Sequence, residues 1–131
     1  MGKFLSALQV EQIDDSDANQ EGRGDWKLLS PLIYLSDAGV TFTVPAGFIT
    51  DFASVPRIPL IFDMFGDRAD LAATLHDWLY TADPTTKLHP VPDRLTADNL
   101  LREACLAQGV DKFVADALYE GVRVGGASHW S

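Results

Sequence analysis

The sequence has almost no cysteine, no long apolar run and few basic residues, and each shortage excludes a class of protein. Cys105 is the only cysteine, so no disulfide can form within the chain. Its apolar surroundings predict a small buried side chain. No apolar run approaches the roughly 20 residues of a membrane-spanning helix. Lys and Arg number 10 against 19 Asp and Glu, and the net charge of −9 argues against nucleic-acid binding and favours a cation as partner.

The start of the chain also lacks the features of a secretory signal. The opening MGKFLSALQVEQIDD has one lysine and a short apolar patch before acidic residues follow. We therefore expect no export, and folding in a reducing compartment. The length of 131 residues predicts one domain, 1–131, with a single core.

The first half of the chain is predicted to form β-structure. Residues 3–13 can be read as one strand with imperfect alternation, and residues 14–25 as a polar, mostly acidic loop. From residue 26 to residue 50, β-branched and aromatic residues are interrupted by Pro, Gly and Asp. That pattern predicts two or three short antiparallel strands joined by tight turns.

The second half changes to helical spacing of its apolar residues. The sequence predicts three helices, over residues 67–82, 96–108 and 111–124. Pro84 follows the first, Thr96 is the predicted N-cap of the second with Gly109 just past its end, and Asp111 can cap the third. The predicted fold class is α+β, with a small N-terminal antiparallel β part followed by three C-terminal helices.

The first predicted helix contains ionisable groups in an otherwise apolar run. The stretch AATLHDWLYTADP, residues 72–84, places His76 beside Asp77, with Tyr80 one turn later. A neutral imidazole is a good general base near neutral pH, and a carboxylate can hold a hard cation. The alternative is that His76 is a core histidine with satisfied hydrogen bonds and that Asp77 is an exposed helical acid.

A second polar set occurs in GFITDFASVPRIP, residues 47–59, which holds Asp51, Ser54 and Arg57. A loop can offer backbone carbonyls beside a carboxylate, and Ca²⁺ typically takes six to eight oxygen ligands. Asp51 and Asp77 could supply the two charged ligands. The alternative is that Asp51 forms an Asx-turn and Arg57 pairs with a surface acid.

Four segments occur in a specific order between residues 44 and 126: VPAGFITDFASVPR, HDWLY, RLTADNLL and LYEGVRVGG. In this combination the chain resembles the phage and prophage family catalogued as domain of unknown function 1353. The resemblance implies a protein made in the bacterial cytoplasm during phage production, or incorporated in the virion. The family name implies no activity.

A helical HDxxY motif, an earlier TD loop followed by Ser and Pro, and a later helical Asp are also similar to the phospholipase A2 group, especially its small bacterial members. That resemblance implies that His76 is the base that activates water, that Asp98 orients His76, and that Tyr80 joins their hydrogen-bond network. Asp98 should therefore hydrogen-bond one ring nitrogen of His76. The group's helix end with Tyr, a basic residue and Gly is echoed by Tyr119, Arg123 and Gly125.

The same resemblance implies a Ca²⁺ site and a substrate site. Asp51 and Asp77 would hold the cation with the backbone carbonyl of Phe52, and Ser54 and Arg57 would contact the substrate. The phospholipases are secreted and usually disulfide-bonded, whereas this chain has one cysteine and is expected to lack a signal peptide.

Two functional hypotheses follow from these patterns. One is a calcium-dependent ester hydrolase with a lipid or another ester as substrate, in which the apolar stretch 58–65 could meet an acyl chain instead of joining the core. The other is a phage virion, tail or accessory protein, in which the same His and Asp residues form a structural network and an apolar surface contacts another phage protein. Asp51 discriminates between them, because a network between two helices needs no acid in a distant loop.

Overall fold

The structure, a computed structural model, describes residues 2–14, 25–50 and 67–130. Its strands are β1 Lys3–Phe4, β2 Val10–Asp14, β3 Asp25–Leu28, β4 Leu32–Leu35, β5 Thr41–Val44 and β6 Ile49–Thr50. Its helices are α1 Asp67–Leu79, α2 Arg94–Ala107, α3 Lys112–Gly125 and a short 3₁₀ helix, Gly126–His129. The predicted α+β arrangement, with strands first and three helices after them, is confirmed. None of the helices described is long and apolar enough to cross a membrane.

The described strands form two antiparallel sheets of three strands each, in the orders β1-β4-β5 and β2-β3-β6. The segment predicted as one strand over residues 3–13 is therefore two strands in different sheets. β1 pairs with β4, whereas β2 pairs with β3. Strand pairing is set by partners far away in the sequence, and the local alternation of residues 3–13 does not contain that information.

The core lies between the sheets and the helices. On β4, Leu32 and Tyr34 are buried while the residues between and after them are only partly covered, as expected when successive side chains point to opposite faces of a sheet. Fully buried leucines of the helices pack in the same core: Leu75, Leu79, Leu101 and Leu118. Cys105 is also buried, as predicted, and burial raises the pKa of its thiol to about 12, so the thiol is protonated and unreactive at neutral pH.

Two helix ends differ from the prediction. The N-cap of α2 is Asp93 and not Thr96, because Oδ1 of Asp93 accepts hydrogen bonds from both the backbone N–H and the hydroxyl of Thr96, at 2.8 and 2.6 Å. The helix thus begins one turn nearer the N-terminus. α1 ends at Leu79 and not at residue 82. Just past this end, the N–H of Thr81 donates to the carbonyl of Trp78, three residues earlier.

Other helix ends are as predicted. Asp111 caps α3 by accepting from the backbone N–H of Phe113 at 2.8 Å. Gly109 lies just past the end of α2 with φ +81°, a left-handed conformation that favours glycine. The helices are therefore bounded by local capping chemistry that the sequence displays.

A partly buried contact joins α2 to the sheet β1-β4-β5. The hydroxyl of Tyr34 on β4 donates a short hydrogen bond to Glu103 of α2. Burial, reinforced by this acidic partner, raises the pKa of Tyr34 well above its ordinary value, so the phenol remains a donor. The contact fixes the position of α2 relative to the strands, and α2 carries Asp98.

Candidate functional site

Helices α1 and α2 bring His76 and Asp98 into direct contact. Nε2 of His76 lies 2.7 Å from Oδ1 of Asp98, and both side chains are fully buried. Since the carboxylate can only accept, the ring proton of the neutral imidazole belongs on Nε2, and Nδ1 becomes the nitrogen with basic character. The predicted hydrogen bond between these two residues is confirmed.

Tyr80, which directly follows α1, also binds Asp98. Its hydroxyl donates to the same oxygen of Asp98 at 2.5 Å. The rings of His76 and Tyr80, four residues apart, lie with their centroids 4.1 Å from each other. Burial and the bond to Asp98 raise the pKa of Tyr80 above its ordinary value, so the phenol stays protonated. His76 and Tyr80 therefore bind the same carboxylate oxygen of Asp98.

Two arginines bind the other oxygen of Asp98. Nη1 of Arg123, on α3, lies 2.7 Å from Oδ2, and Nη1 of Arg94, at the start of α2, lies 3.5 Å from it. Arg94 also donates to the hydroxyl of Tyr80 at 3.3 Å. Asp98 thus has partners from each of the three α-helices described, which explains how a fully buried carboxylate is tolerated.

Arg94 also binds the C-terminal end of α3. Its guanidinium donates to the carbonyls of Val122 and Arg123, at 2.9 and 3.3 Å. The last carbonyls of a helix have no partner within the helix, and a cation there also suits the helix dipole. The Arg94 side chain therefore connects the start of α2 to the end of α3. It also connects both to the cluster formed by His76, Tyr80, Asp98 and Arg123, called the cluster below.

Burial and hydrogen bonding set the protonation states of His76 and Asp98. Burial lowers the pKa of His76 below its ordinary 6.5, and the opposing effect of the Asp98 hydrogen bond does not overcome it. Burial alone would raise the pKa of Asp98, but the hydrogen bonds from His76, Tyr80 and Arg123 outweigh burial and lower it. At neutral pH the cluster therefore holds a neutral imidazole beside an ionised carboxylate.

Asp77 lies beside the cluster on α1 and is half-buried. Its Oδ2 accepts a hydrogen bond of 2.6 Å from the hydroxyl of Thr50, the last described residue of β6. The predicted partners of Asp77 in the loop, Asp51 and Phe52, lie outside the described residues. Within the described part of the chain, no group of three or more His, Cys, Asp or Glu side chains is arranged to hold a metal ion.

The remaining predictions for the loop also lie outside the described residues. They concern Ser54 and Arg57 as substrate contacts, and the apolar stretch 58–65 as an acyl-chain contact. They stay predictions.

A pocket of about 510 Å³ lies at the C-terminal end of α1, where Trp78 lines it. Thr81, one turn after Asp77, lines it and donates its hydroxyl hydrogen to the carbonyl of Asp77 at 2.9 Å. The described walls are mainly apolar: Pro45, Phe48, Trp78, Thr81, Ala82, Asp83, Pro84, Leu88, His89 and Pro90. Such a pocket suits a small apolar group rather than an anion.

His89 lines this pocket and is connected to Tyr80 through the ring of Trp130. Nδ1 of His89 lies 3.1 Å from the carbonyl of Leu79, and the ring stacks on Trp130 with centroids 3.5 Å apart. The ring of Trp130 in turn lies nearly perpendicular to that of Tyr80, with the centroids 5.4 Å apart. The sequence assigned His89 no role, and the structure gives it a structural one at the end of α1.

Sequence reasoning missed Arg94, and it found Arg123 only through the phospholipase resemblance. A local signal for Arg94 was present, since it precedes Asp98 by four residues and such pairs share a helix face. No local signal existed for the contact of Arg123, which lies 25 residues from Asp98 in the sequence.

Comparison with known families gives one match. The sequence profile of the family described as Protein of unknown function (DUF1353) matches residues 26–122. That range includes Asp77, Tyr80 and Asp98, as well as His76 and Arg94. No curated protein and no solved structure is significantly similar to the chain.

Proposed function

This chain belongs to the DUF1353 family, whose description names no activity, and we propose that it is a phage-associated ester hydrolase with His76 as its general base. The observation that supports this proposal most directly is the 2.7 Å bond from Nε2 of His76 to Asp98, which fixes the ring tautomer. A positioned histidine that is neutral at neutral pH is the usual side chain for removing a proton from water.

In the proposed reaction, Nδ1 of His76 takes a proton from a water molecule while the water oxygen attacks the ester carbonyl. The imidazolium that forms is stabilised by Asp98, to which Nε2–H remains bonded. Tyr80 holds Asp98 in place through its own hydrogen bond. When the carbon–oxygen bond breaks, His76 returns the proton to the leaving alkoxide, so that an acid and an alcohol are released.

We further propose that Asp77 binds Ca²⁺ together with Asp51 and the carbonyl of Phe52. The described residues contribute one carboxylate to this set, and Thr50, which precedes Asp51 in the chain, bonds to that carboxylate. A carboxylate and loop carbonyls are the oxygen ligands that calcium prefers. When bound, the cation would polarise the ester carbonyl.

The proposed substrate is a lipid or another ester with an apolar substituent. The pocket of about 510 Å³ at the C-terminal end of α1 is lined in part by Phe48, Trp78 and Leu88. Because apolar surface gains free energy on leaving water, an acyl or aryl group would favour this pocket over solvent. Ser54 and Arg57 remain predicted substrate contacts.

A virion, tail or accessory protein is the second candidate, and two observations favour it. His76 is fully buried, whereas a base must meet water and substrate. Phe113 and Val124, 80% and 86% exposed, lie about three turns apart on the same face of α3. Exposed apolar side chains suit contact with another phage protein, either in the bacterial cytoplasm or in the virion.

Hydrolysis of soluble aryl esters and of phospholipid vesicles, measured with millimolar calcium, tests the enzyme proposal. The key variant is His76→Gln, whose amide can still donate to Asp98 but cannot act as the base. We expect wild-type protein to hydrolyse at least one substrate, and the folded variant to lose at least about a hundredfold in rate, the usual contribution of a general base.

The matched control is His129→Ala, which removes an exposed histidine of the 3₁₀ helix and should keep the wild-type rate. Circular dichroism spectra would verify that both variants are folded. Equal hydrolysis by wild type and His76→Gln, or none by either, would contradict the enzyme proposal and favour the structural candidate.

A further inference from the structure

The pocket at the C-terminal end of α1 has a carboxylate in its mainly apolar wall. Phe48 and Trp78 line the pocket together with Asp83. We propose that this pocket binds an alkylammonium group, a positively charged nitrogen with small alkyl substituents, carried by a small soluble molecule of the choline type. Binding of this group does not depend on catalysis, whereas the statement that the group belongs to an ester substrate rests on the proposed hydrolase.

The aromatic side chains of the wall supply ring faces that attract a cation. Phe48 and Trp78 are half-buried and pack against the core, and both also line the pocket. The face of an aromatic ring carries partial negative charge, and among aromatic residues Trp attracts cations most strongly. Alkyl groups on the nitrogen fit such apolar walls, whereas a bare metal ion would lose its hydration there without oxygen ligands to replace it.

Asp83 supplies a fixed negative charge in the same wall. The backbone N–H groups of Thr86 and Thr85 donate to Oδ1 of Asp83 at 2.9 and 2.8 Å. These two hydrogen bonds lower the pKa of Asp83 below its ordinary value, so the carboxylate is ionised at neutral pH. Lys87, whose charge also favours the ionised form, is not among the described residues that line the pocket. A cationic ligand therefore complements this wall better than a neutral ligand of the same shape.

The loop that carries Asp83 is held in place by its own hydrogen bonds. The N–H of Asp83 donates to the carbonyl of Leu88 at 2.9 Å, and the carbonyl of Asp83 accepts from the N–H of Lys87 at 2.8 Å. His89, which also lines the pocket, stacks on Trp130 with the ring centroids 3.5 Å apart. Binding to walls that are already ordered costs little conformational entropy. The volume of about 510 Å³ is in the range of small-molecule sites.

Titration with choline chloride, followed by the backbone amide ¹H–¹⁵N signals of residues 81–89, tests the proposal. The titration is performed at about pH 8, where imidazole side chains are ordinarily neutral. A parallel titration with sodium chloride accounts for the added salt. The comparison ligand is dimethylbutanol, the neutral analogue in which carbon replaces the nitrogen of choline. We expect saturable shifts with choline, and an affinity for the neutral alcohol that is at least roughly threefold lower, because the alcohol makes no cation–π contact.

Substitutions of Asp83 and Trp78 test which parts of the wall bind the cation. Asp83→Asn keeps an oxygen that can accept from Thr85 and Thr86 and removes only the charge. It should weaken choline binding by roughly twofold to fivefold, because an exposed charge pair is screened by water, and should leave binding of the neutral alcohol unchanged. Trp78→Leu should weaken choline binding by roughly twofold to thirtyfold, whereas Trp78→Phe, which keeps an aromatic face, should weaken it less. If Trp78→Leu does not fold, Phe48→Leu serves in its place.

Glu120→Gln is the matched control, because it removes the same charge from an exposed position on α3 and should leave choline binding unchanged. Equal affinity for choline and for the neutral alcohol, or an equal loss in Glu120→Gln and Asp83→Asn, would overturn the proposal. The absence of a saturable response to free choline would also overturn it, even if phosphatidylcholine vesicles bound, because the ligand would then be a membrane and not a small soluble molecule.

The outcome is separable from that of the hydrolase proposal. Saturable choline binding by protein that cleaves no ester would support the ammonium site and contradict only the hydrolase. If wild type is active, choline esters should be cleaved with higher kcat/KM than the matching dimethylbutyl esters, and Asp83→Asn should reduce that preference. Ester cleavage by protein that does not bind choline would contradict the ammonium site while leaving the hydrolase intact.

Discussion

Asp98 is the residue on which the other groups of the cluster converge. It accepts hydrogen bonds from His76, Tyr80, Arg94 and Arg123, although its own side chain is fully buried. A buried carboxylate without partners would be strongly destabilising, whereas one with both oxygens bonded can be retained. The cluster therefore links stability to the protonation of its members.

His76 should make the stability of the protein depend on pH. Because burial lowers its folded-state pKa below 6.5, the unfolded chain binds a proton that the folded chain does not as pH falls below that value. The free energy of unfolding should therefore decrease as pH falls below about 6.5. Asp98, whose pKa is also lowered, stabilises the fold above its ordinary value of 3.8, and that contribution is lost as pH falls through its folded-state pKa.

Urea unfolding between about pH 7.5 and about pH 5 would measure the histidine contribution, which lies in the range where His titrates. In His76→Gln the stability should decline less steeply over this range than in wild type. If the two proteins declined in parallel, the pH dependence would have to come from other groups.

At the scale of elements, the junction between α3 and the 3₁₀ helix touches the cluster directly. The junction is formed by Gly125 and Gly126, of which Gly126 is buried. A Cβ atom on Gly126 would lie 2.8 Å from the hydroxyl of Tyr80 and 3.2 Å from Nη1 of Arg94. The end of α3 can approach α1 and α2 this closely because residue 126 has no side chain.

Replacing Gly126 by Ala should therefore disturb the cluster. We expect Gly126→Ala to lower the free energy of unfolding by roughly 1–3 kcal/mol, the usual effect of overpacking. Gly125→Ala is the matched control, since a Cβ there meets nothing within 4 Å, and it should be neutral or slightly stabilising. Chemical denaturation of both variants measures the difference, and equal effects would show that the close approach carries no energetic cost.

At the scale of the whole molecule, polar contacts among the described residues join the strands to the helices. Tyr34 bonds to Glu103 at one place, and Thr50 bonds to Asp77 at the other. The second contact brings the end of β6 to the helix that carries His76. A cation bound at Asp77 would therefore connect the β part to the helical part and stabilise the folded chain as a unit.

Calcium should accordingly raise the melting temperature of the protein, increasingly with concentration, because a ligand that binds only the folded state stabilises it by mass action. Asp77→Asn should abolish the rise. His76→Gln removes no proposed ligand and should keep it. Asp116→Asn, which removes a surface carboxylate on α3, is the charge-matched control and should also keep it. A melting temperature of wild type that is constant across millimolar calcium would reject the metal site.

The sequence by itself determined the order of β and α structure and most of the helix boundaries. Those features depend on local physics: the change of apolar period near residue 60, the capping carboxylate of Asp111 and the left-handed position of Gly109. The contact between His76 and Asp98 came from the phospholipase resemblance, because no spacing rule joins residues on different helices. Where two local signals competed, as for Asp93 and Thr96 at the start of α2, the wrong cap was predicted.

Only the tertiary structure decided which distant residues surround Asp98 and which strands pair. Arg123 reaches Asp98 across 25 residues of sequence, and residues 3–13 are divided between two sheets because their partners lie in β4 and β3. Both results depend on how whole elements dock, which is settled by burial of the shared core and by satisfaction of buried polar groups. A local sequence pattern indicates which face of a helix or strand is apolar, but it does not indicate which other element that face will pack against.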